Sequence, residues 1–245
     1  MKGTWVTDDY VMQQIISDFE AAVSEEKMLY NYTTTVQNHM AYTMDKYGAD
    51  YQIPIVDTEA PLSDSTRQLL SVYTEGLRDA DRALEELVSY FKETDEPVVL
   101  AFWGDHYPNL GGSLSVYEEL ELIENEVYPF QYYATPYVVW ANDAGAQCLE
   151  WEETIDRLAL PENGYLSACF FGSTLLELCG RGTATPYVTF LNELRRELPV
   201  VWNGQCYLDG AGNLIYELDE EQQAMVSKWR CWSYYKMMEK EIQDE

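Results

Sequence analysis

Two histidines and one aspartate carry the clearest chemistry in this sequence. The chain has only two histidines, His39 and His106, and Asp105 with His106 directly follows the apolar run "PVVLAFW", residues 97–103. A carboxylate oxygen and an imidazole nitrogen are suitable ligands for Mn, Mg or Zn. Gly104 lets the backbone turn sharply just before them. The pair therefore predicts half of a divalent-metal site, with a plain strand-end turn as the alternative.

His39 comes just after a second stretch that is typical of a strand, residues 28–36. In a parallel sheet both histidines would lie at the same carboxyl edge, which is where open α/β sheets hold their ligands. An imidazole there can bind substrate or transfer a proton, so we expect His39 to be a catalytic and substrate-binding residue. The alternative is a loop histidine bonded to a nearby backbone carbonyl.

Alternating helices and strands must position these side chains. Apolar residues at helical spacing predict a first helix over residues 7–26 with Thr7 as its N-cap, and a long helix over 65–92 that begins with the capping-box pair Ser65 and Gln68. The remaining predicted elements are strands at 98–103 and within 135–143, two short helices within 164–180 and 186–198, a hairpin turning at Asp209 to Asn213, and a terminal helix from Asp219.

The order strand, helix, strand predicts an α/β fold. The continuous apolar run 98–103 is typical of a strand buried on both faces, as in a parallel sheet with helices on each side. We therefore expect a three-layer α/β/α architecture with a mostly parallel central sheet that is incomplete in this chain. A carboxyl-terminal subregion, residues 161–245, adds short helices, a β-hairpin and a long terminal helix. We expect it to belong to the same domain.

Charge narrows the range of partners. The 245 residues carry a formal net charge of −28, from 43 acidic and 15 basic residues. Nucleic acid and anionic membrane surfaces bind basic patches, which the sequence of such an acidic chain does not offer. We therefore expect no nucleic-acid partner. A phosphorylated substrate would be repelled unless a bound cation received it. The composition thus agrees with a metal site if the substrate is an anion.

Other signals exclude several classes of site. Five cysteines without a CxxC spacing favour neither a disulfide framework nor a zinc knuckle. The sequence contains no GxSxG, Walker, GxGxxG or HExxH motif. Its 20 tyrosines and 7 tryptophans are compatible with sugar stacking, but their spacing favours packing. There is no signal peptide and no apolar run of about 18 residues, so we expect a soluble chain.

The order of motifs resembles a known family. The motifs are "DDYVMQQI", "YTTTVQNHMAY", "LLSVYTEGLRDADRALEELVSYF", "VVLAFWGDHYPNLG", "TPYVVWAND" and "LSACFFGSTLLELCG". Together they resemble the carboxyl-terminal half of the lipoteichoic acid synthase-like, or sulfatase-like phosphoglycerol transferase, family of the alkaline phosphatase superfamily. The resemblance implies that residues 1–160 are the carboxyl-terminal half of a sulfatase-like catalytic domain.

The resemblance also implies roles for the candidate residues. In the family the Asp and His of the GDH motif bind the catalytic metal, usually manganese, and these positions are Asp105 and His106 here. The histidine of the earlier segment, His39, would contact the substrate phosphate or head group. The family's first half carries membrane helices, a metal-binding Glu and a nucleophilic Thr, and this chain lacks a match to that half.

Two functions remain as expectations. The first is a metal-dependent phosphoglycerol transferase or sulfatase-like hydrolase acting on an anionic phospholipid head group or polyglycerol phosphate. A full-length member would work at the extracellular face of the cell membrane, and this chain would need a missing amino-terminal half as partner. Phosphoethanolamine and sulfate esters are alternative substrates. The second function is a non-catalytic α/β module that acts through association.

Overall fold

The computed structural model describes residues 1–110, 115–122 and 128–243. In chain order the elements are α1 (Asp8–Ser24), α2 (Asp64–Lys92), β1 (Val99–Trp103), α3 (Ser115–Glu119), a 3-10 helix (Gln131–Tyr133), β2 (Tyr137–Ala141), α4 (Asp143–Cys148), α5 (Trp151–Leu158), α6 (Ala168–Leu178), α7 (Pro186–Glu197), β3 (Val200–Trp202), β4 (Cys206–Leu208), β5 (Leu214–Ile215) and α8 (Glu220–Gln243). This mixture of helices and strands confirms the predicted α/β class.

The chain divides into two compact units, Met1–Asp143 and Ala144–Glu245. All three candidate site residues lie in the first unit. The predicted division into residues 1–160 and 161–245 rests on the family resemblance and stays a prediction.

Two helices form the framework of the first unit. Helix α1 begins as predicted, because the Thr7 side chain accepts a hydrogen bond from the backbone N–H of Tyr10 at 3.4 Å. Its apolar stripe packs against α2 and the β1–β2 ribbon, as the helical spacing predicts. The buried centre of this contact consists of Met12, Ala83, Leu87 and Phe91.

The long helix α2 is confirmed, but its N-cap differs from the prediction. Ser63, not Ser65, has the extended backbone of a cap, and its hydroxyl accepts from the N–H of Thr66 at 3.3 Å. Ser65 already lies inside the first turn. Several serines and threonines stand near this helix start, and the backbone conformation decides which of them caps it.

Strands β1 and β2 are found where the sequence predicts them, but the parallel pairing predicted for the sheet is wrong for this pair. They are antiparallel, with Val99 opposite Ala141 and Trp103 opposite Tyr137. Parallel pairing needs a crossover, usually a helix that packs along the sheet. In the described part of the connection the only α-helix is the five-residue α3. Strand β1 is also not buried on both faces, since Phe102 and Trp103 are exposed.

The prediction of a strand over residues 28–36 is wrong. These residues pair with no strand in the part of the chain that the structure describes. Their side chains are largely in solvent, with Met28 95% and Tyr30 88% exposed. A β-forming composition needs a partner ladder to become a strand, and none is supplied here. The segment nevertheless runs past the end of β1, where the rings of Tyr32 and Trp103 lie 6.0 Å apart.

The second unit contains the predicted short helices α6 and α7, the predicted terminal helix α8, and a three-stranded antiparallel sheet. The hairpin turn is confirmed, because the N–H of Asp209 donates to the carbonyl of Asn213 at 3.0 Å. Strand β3 extends this hairpin into a meander, and α5 was not predicted. The buried core is formed by Phe170, Phe190, Leu191, Leu194, Leu198, Tyr207 and Val226.

In the ranges that the structure describes, no helix has the length and apolar character needed to span a bilayer.

Candidate functional site

The turn after β1 is fixed by the strand that pairs with it. The Thr135 hydroxyl donates to the carbonyl of Gly104 at 2.5 Å, and the N–H of Gly104 donates to the carbonyl of Pro136 at 3.3 Å. A Cβ on residue 104 would lie 3.2 Å from the Cβ of Thr135, which is tighter than normal packing. Glycine therefore permits the close approach that sets the start of the Asp105–His106 turn.

The side-chain ligand atoms of Asp105 and His106 lie close together. Oδ2 of Asp105 lies 3.5 Å from Nε2 of His106, and both side chains are mostly exposed. The other ring nitrogen of His106, Nδ1, lies 2.8 Å from the carbonyl oxygen of Tyr107. A carbonyl can only accept, so Nδ1 carries the proton of the neutral ring and Nε2 keeps its lone pair.

This geometry fits two ligands of one divalent ion. Two ligand atoms at about 2.1 Å from a tetrahedral metal are about 3.4 Å apart. The 3.5 Å between Asp105 and His106 is close to that separation. The bond to Tyr107 also orients the ring, as an outer-shell partner does in metal sites. The separation of the two atoms is therefore compatible with a shared ion.

The pair supplies only part of a coordination shell. Across residues 1–110, 115–122 and 128–243, no group of three or more His, Cys, Asp or Glu side chains could hold a metal ion. Protein zinc sites with catalytic roles use three protein ligands and an open position. Among the described residues, no third His, Cys, Asp or Glu therefore completes the pair as a metal site.

His39 presents a similar free ring nitrogen. Its Nδ1 lies 3.0 Å from the carbonyl oxygen of Met40, so by the same reasoning Nε2 is the acceptor in the neutral ring. The residue is exposed. No hydrogen bond, ion pair or ring contact within the described ranges joins His39 to Asp105 or His106. The roles predicted for these three residues, and their convergence, stay predictions.

The two residues before His39 anchor its loop to the helical framework. The Gln37 side chain accepts from the N–H of Asp8 at 2.9 Å and donates to Asp79 Oδ2 at 2.5 Å. The Asn38 amide donates to the carbonyl of Tyr73 at 3.2 Å. Gln37 is buried while His39 is exposed. The loop therefore holds its backbone firmly and leaves the imidazole accessible.

A buried charge cluster lies behind this loop. Lys2 Nζ is 3.0 Å from Glu75 Oε1 and 2.6 Å from Asp79 Oδ2. Burial would raise the pKa of Glu75, but hydrogen bonds from Tyr51 and Lys2 outweigh it and hold that pKa below its usual value. The carboxylate therefore stays ionised and paired with Lys2.

The sequence analysis missed this cluster. Asp79 is 7% exposed, whereas Asp81, two residues further along α2, is exposed. The available signal was spacing, because Glu75 and Asp79 are four residues apart on the face that also carries Val72 and Ala83. An acidic pair inside an apolar stripe indicates a buried cation partner.

Comparison with known proteins identifies the family. The model of the Sulfatase family matches residues 3–181, which include all three candidate residues. A Rhizobium meliloti (strain 1021) protein named as a cyclic beta-1,2-glucan modification protein is 28% identical over 149 residues, 59% of this chain. The chain spans about a fifth, 22%, of that relative's length. No solved structure matches the chain. The family match covers well over half of the sequence, and the chain belongs to the sulfatase family.

Proposed function

We propose that this chain forms part of the active site of a metal-dependent sulfatase-family enzyme that acts on cell-envelope substrates as a phosphoglycerol transferase or a hydrolase. The observation that carries the proposal is the Asp105–His106 pair, with Oδ2 and Nε2 at 3.5 Å. Family membership over residues 3–181 supports it. The relative named for modification of a cyclic glucan supports a substrate with hydroxyl groups that can accept a phosphoryl group.

Asp105 and His106 would hold the divalent ion, with manganese the leading candidate and magnesium or zinc the alternatives. When bound, the ion supplies a positive charge that offsets the negative charge of a phosphate or sulfate ester. The chain needs such a charge, because its own net charge of −28 repels an anion. The negative charge of the Asp105 carboxylate would also attract the cation to the pair.

His39 would act on the substrate through its accessible Nε2. A protonated imidazole can donate a hydrogen bond to an ester oxygen or pass its proton to a leaving alkoxide. The Nδ1 bond to Met40 keeps the ring oriented for this role. In this proposal, an amino-terminal half supplies the nucleophilic hydroxyl and further metal ligands. The complete enzyme would act on glycerol phosphate head groups at the extracellular face of the membrane.

The test uses the fact that the chain has only two histidines. Mn²⁺ is paramagnetic, and it broadens the NMR signals of nearby nuclei. We expect substoichiometric Mn²⁺ to broaden the ring signals of His106 before those of His39. The broadening should weaken about tenfold or more in Asp105→Asn, since one of the two ligands is lost.

The matched control is Asp81→Asn, which removes an exposed carboxylate far from either histidine in sequence. It should leave the Mn²⁺ titration unchanged. The proposal fails if Asp105→Asn titrates like the parent chain, or if Asp81→Asn lowers the broadening of His106 equally. Mg²⁺ and Zn²⁺ can then be added in competition, and the amount of each that reverses the broadening by Mn²⁺ ranks the affinities of the three metals.

A second function is favoured by one observation, the exposed apolar residues of the 28–36 segment, including Met28 and Tyr30. Exposed apolar side chains in a row are typical of association surfaces. A non-catalytic module would bind a partner through them and need no metal. Sedimentation of the chain with the amino-terminal half of a sulfatase-family enzyme distinguishes the two. The non-catalytic module would be favoured if the two polypeptides associate while Mn²⁺ fails to broaden the ring signals of His106.

A further inference from the structure

Lys46 is an unusual cation in this chain. It is 8% exposed, yet no carboxylate lies within ion-pair distance of its ammonium in the part of the chain that the structure describes. Lys2 offers a contrast, because it is partly buried and paired with both Glu75 and Asp79. A buried charge without an opposite charge is costly, and such groups persist where other contacts hold them.

Two contacts of the Lys46 ammonium lead toward His39, and the rings of Tyr42 and Tyr47 also lie 5.4 Å and 5.8 Å from it. Its Nζ donates a hydrogen bond to the backbone carbonyl of His39. The same Nζ lies 4.2 Å from the centre of the Trp5 ring, a cation–π contact. The Trp5 ring in turn lies 6.3 Å from the His39 ring, tilted by 33°. Lysine, tryptophan and histidine therefore form one contiguous group.

We propose that Lys46 is a positioning residue which, together with Trp5, holds His39 in the orientation that leaves Nε2 free. Lys46 fixes the carbonyl of the peptide between His39 and Met40. The next carbonyl along the chain, that of Met40, is the one that accepts from His39 Nδ1. Only the φ and ψ angles of Met40 separate the two carbonyls, so holding the first peptide in place removes one source of movement between the His39 ring and its acceptor.

Packing alone does not account for a lysine here. An apolar side chain of similar length would fill the space against Trp5 without the cost of burying an ammonium. Only a donor can satisfy the carbonyl of His39. The catalytic value of this arrangement rests on the function proposed for His39, whereas the positioning itself is a property of the folded chain.

The imidazole tautomer provides the test, because it reports the Nδ1 hydrogen bond without substrate or metal. Long-range proton–nitrogen NMR correlations at about pH 8, above the ordinary histidine pKa, distinguish the two neutral tautomers. In the parent chain both histidines should show the proton on Nδ1. In Lys46→Met the tautomer ratio of His39 should change about fivefold, the effect of one lost neutral hydrogen bond.

His106 serves as the control inside the same molecule, since its Nδ1 bond to Tyr107 does not involve Lys46. Its tautomer should stay unchanged. Lys46→Arg keeps a donor and a cation above Trp5 and should restore the parent signal of His39. Lys92→Met, at an exposed lysine, should change neither histidine.

The proposal is overturned if His39 keeps the parent tautomer in a folded Lys46→Met chain, or if His106 changes equally. If Lys46→Met does not fold, Trp5→Leu decides. It removes the ring that contacts Lys46, and an unchanged His39 tautomer there would overturn the proposal. Failure of Mn²⁺ to bind at Asp105 and His106 would contradict the proposed function and leave this result standing.

Discussion

Gly76 of α2 lies directly beneath the side chain of Asn38, so close that a Cβ on residue 76 would overlap the Asn38 amide. The loop that carries His39 can approach the helix only because residue 76 has no side chain. The Asn38 amide completes this contact by donating to the carbonyl of Tyr73, one turn earlier. The position of His39 therefore depends on a glycine in the middle of a helix.

Gly76→Ala should destabilise the protein by about 1–3 kcal/mol, because the added methyl group displaces the Asn38 amide from its hydrogen bond. Urea unfolding measures the change. Gly172→Ala is the matched control, since Gly172 also lies in a helix but has open space around its Cβ position. That control should be neutral or stabilising by up to about 1 kcal/mol. Equal effects of the two substitutions would contradict the close approach.

Asn142→Ala should cost about 2–4 kcal/mol, because several buried hydrogen bonds would be lost together. The two N–H groups of the Asn142 amide are shared among the carbonyls of Phe91, Thr94 and Glu96, at N···O distances of 2.8–3.2 Å, and its oxygen accepts from the N–H of Val98 at 2.9 Å. These bonds join the end of α2 to the start of β1. Chemical denaturation measures the loss.

The control for Asn142 is Asn31→Ala, which removes an exposed amide bonded to Asp18. We expect a change within about 0.5 kcal/mol, as for most surface substitutions. A loss at Asn142 no larger than this would show that the buried amide does not stabilise the ribbon.

Asp8→Asn should make stability less dependent on pH. Burial, with further contributions from Asp79 and Asp9, raises the pKa of Asp8 from 3.8 to about 6. Between these values the folded chain binds more protons than the unfolded chain, so stability falls as pH rises through this window. Removing the carboxylate should stabilise the chain by about 1–3 kcal/mol above pH 6 and much less near pH 4.

Thermal or urea unfolding at several pH values measures the Asp8 effect. The control is Asp64→Asn, an exposed aspartate in the first turn of α2. The difference in unfolding free energy between Asp64→Asn and the parent chain should not increase between pH 4 and pH 6. A stability difference at Asp8 that is independent of pH would contradict the raised pKa.

Glu177→Gln should cost about 3 kcal/mol in the second unit. Arg195 is buried, and its guanidinium donates to Glu177 Oε2 at 2.7 Å, while Arg196 donates to Oε1. Neutralising the glutamate removes the negative charge that Glu177 places beside the buried guanidinium, and the loss of such a charge is costly. Glu193→Gln, at an exposed position of α7, should change the unfolding free energy by less than about 0.5 kcal/mol. Similar losses would contradict the pairing.

Much of the fold follows from local patterns. Helices α1, α2, α6, α7 and α8, and strands β1 and β2, were predicted because apolar spacing and capping residues act over a few neighbouring positions. The strand at 28–36 was mispredicted because its composition favours a strand while no partner ladder forms. The antiparallel pairing of β1 with β2 depends on the path of the connection, which no local pattern encodes.

The candidate site shows the same division. The sequence alone shows the adjacency of Asp105 and His106, the glycine before them and the net charge of −28. It does not show that Asp79 is buried against Lys2, that Asn38 rests on Gly76, or that Lys46 reaches the carbonyl of His39. These contacts depend on hydrogen bonds and desolvation between residues far apart in sequence, and folding alone fixes their distances.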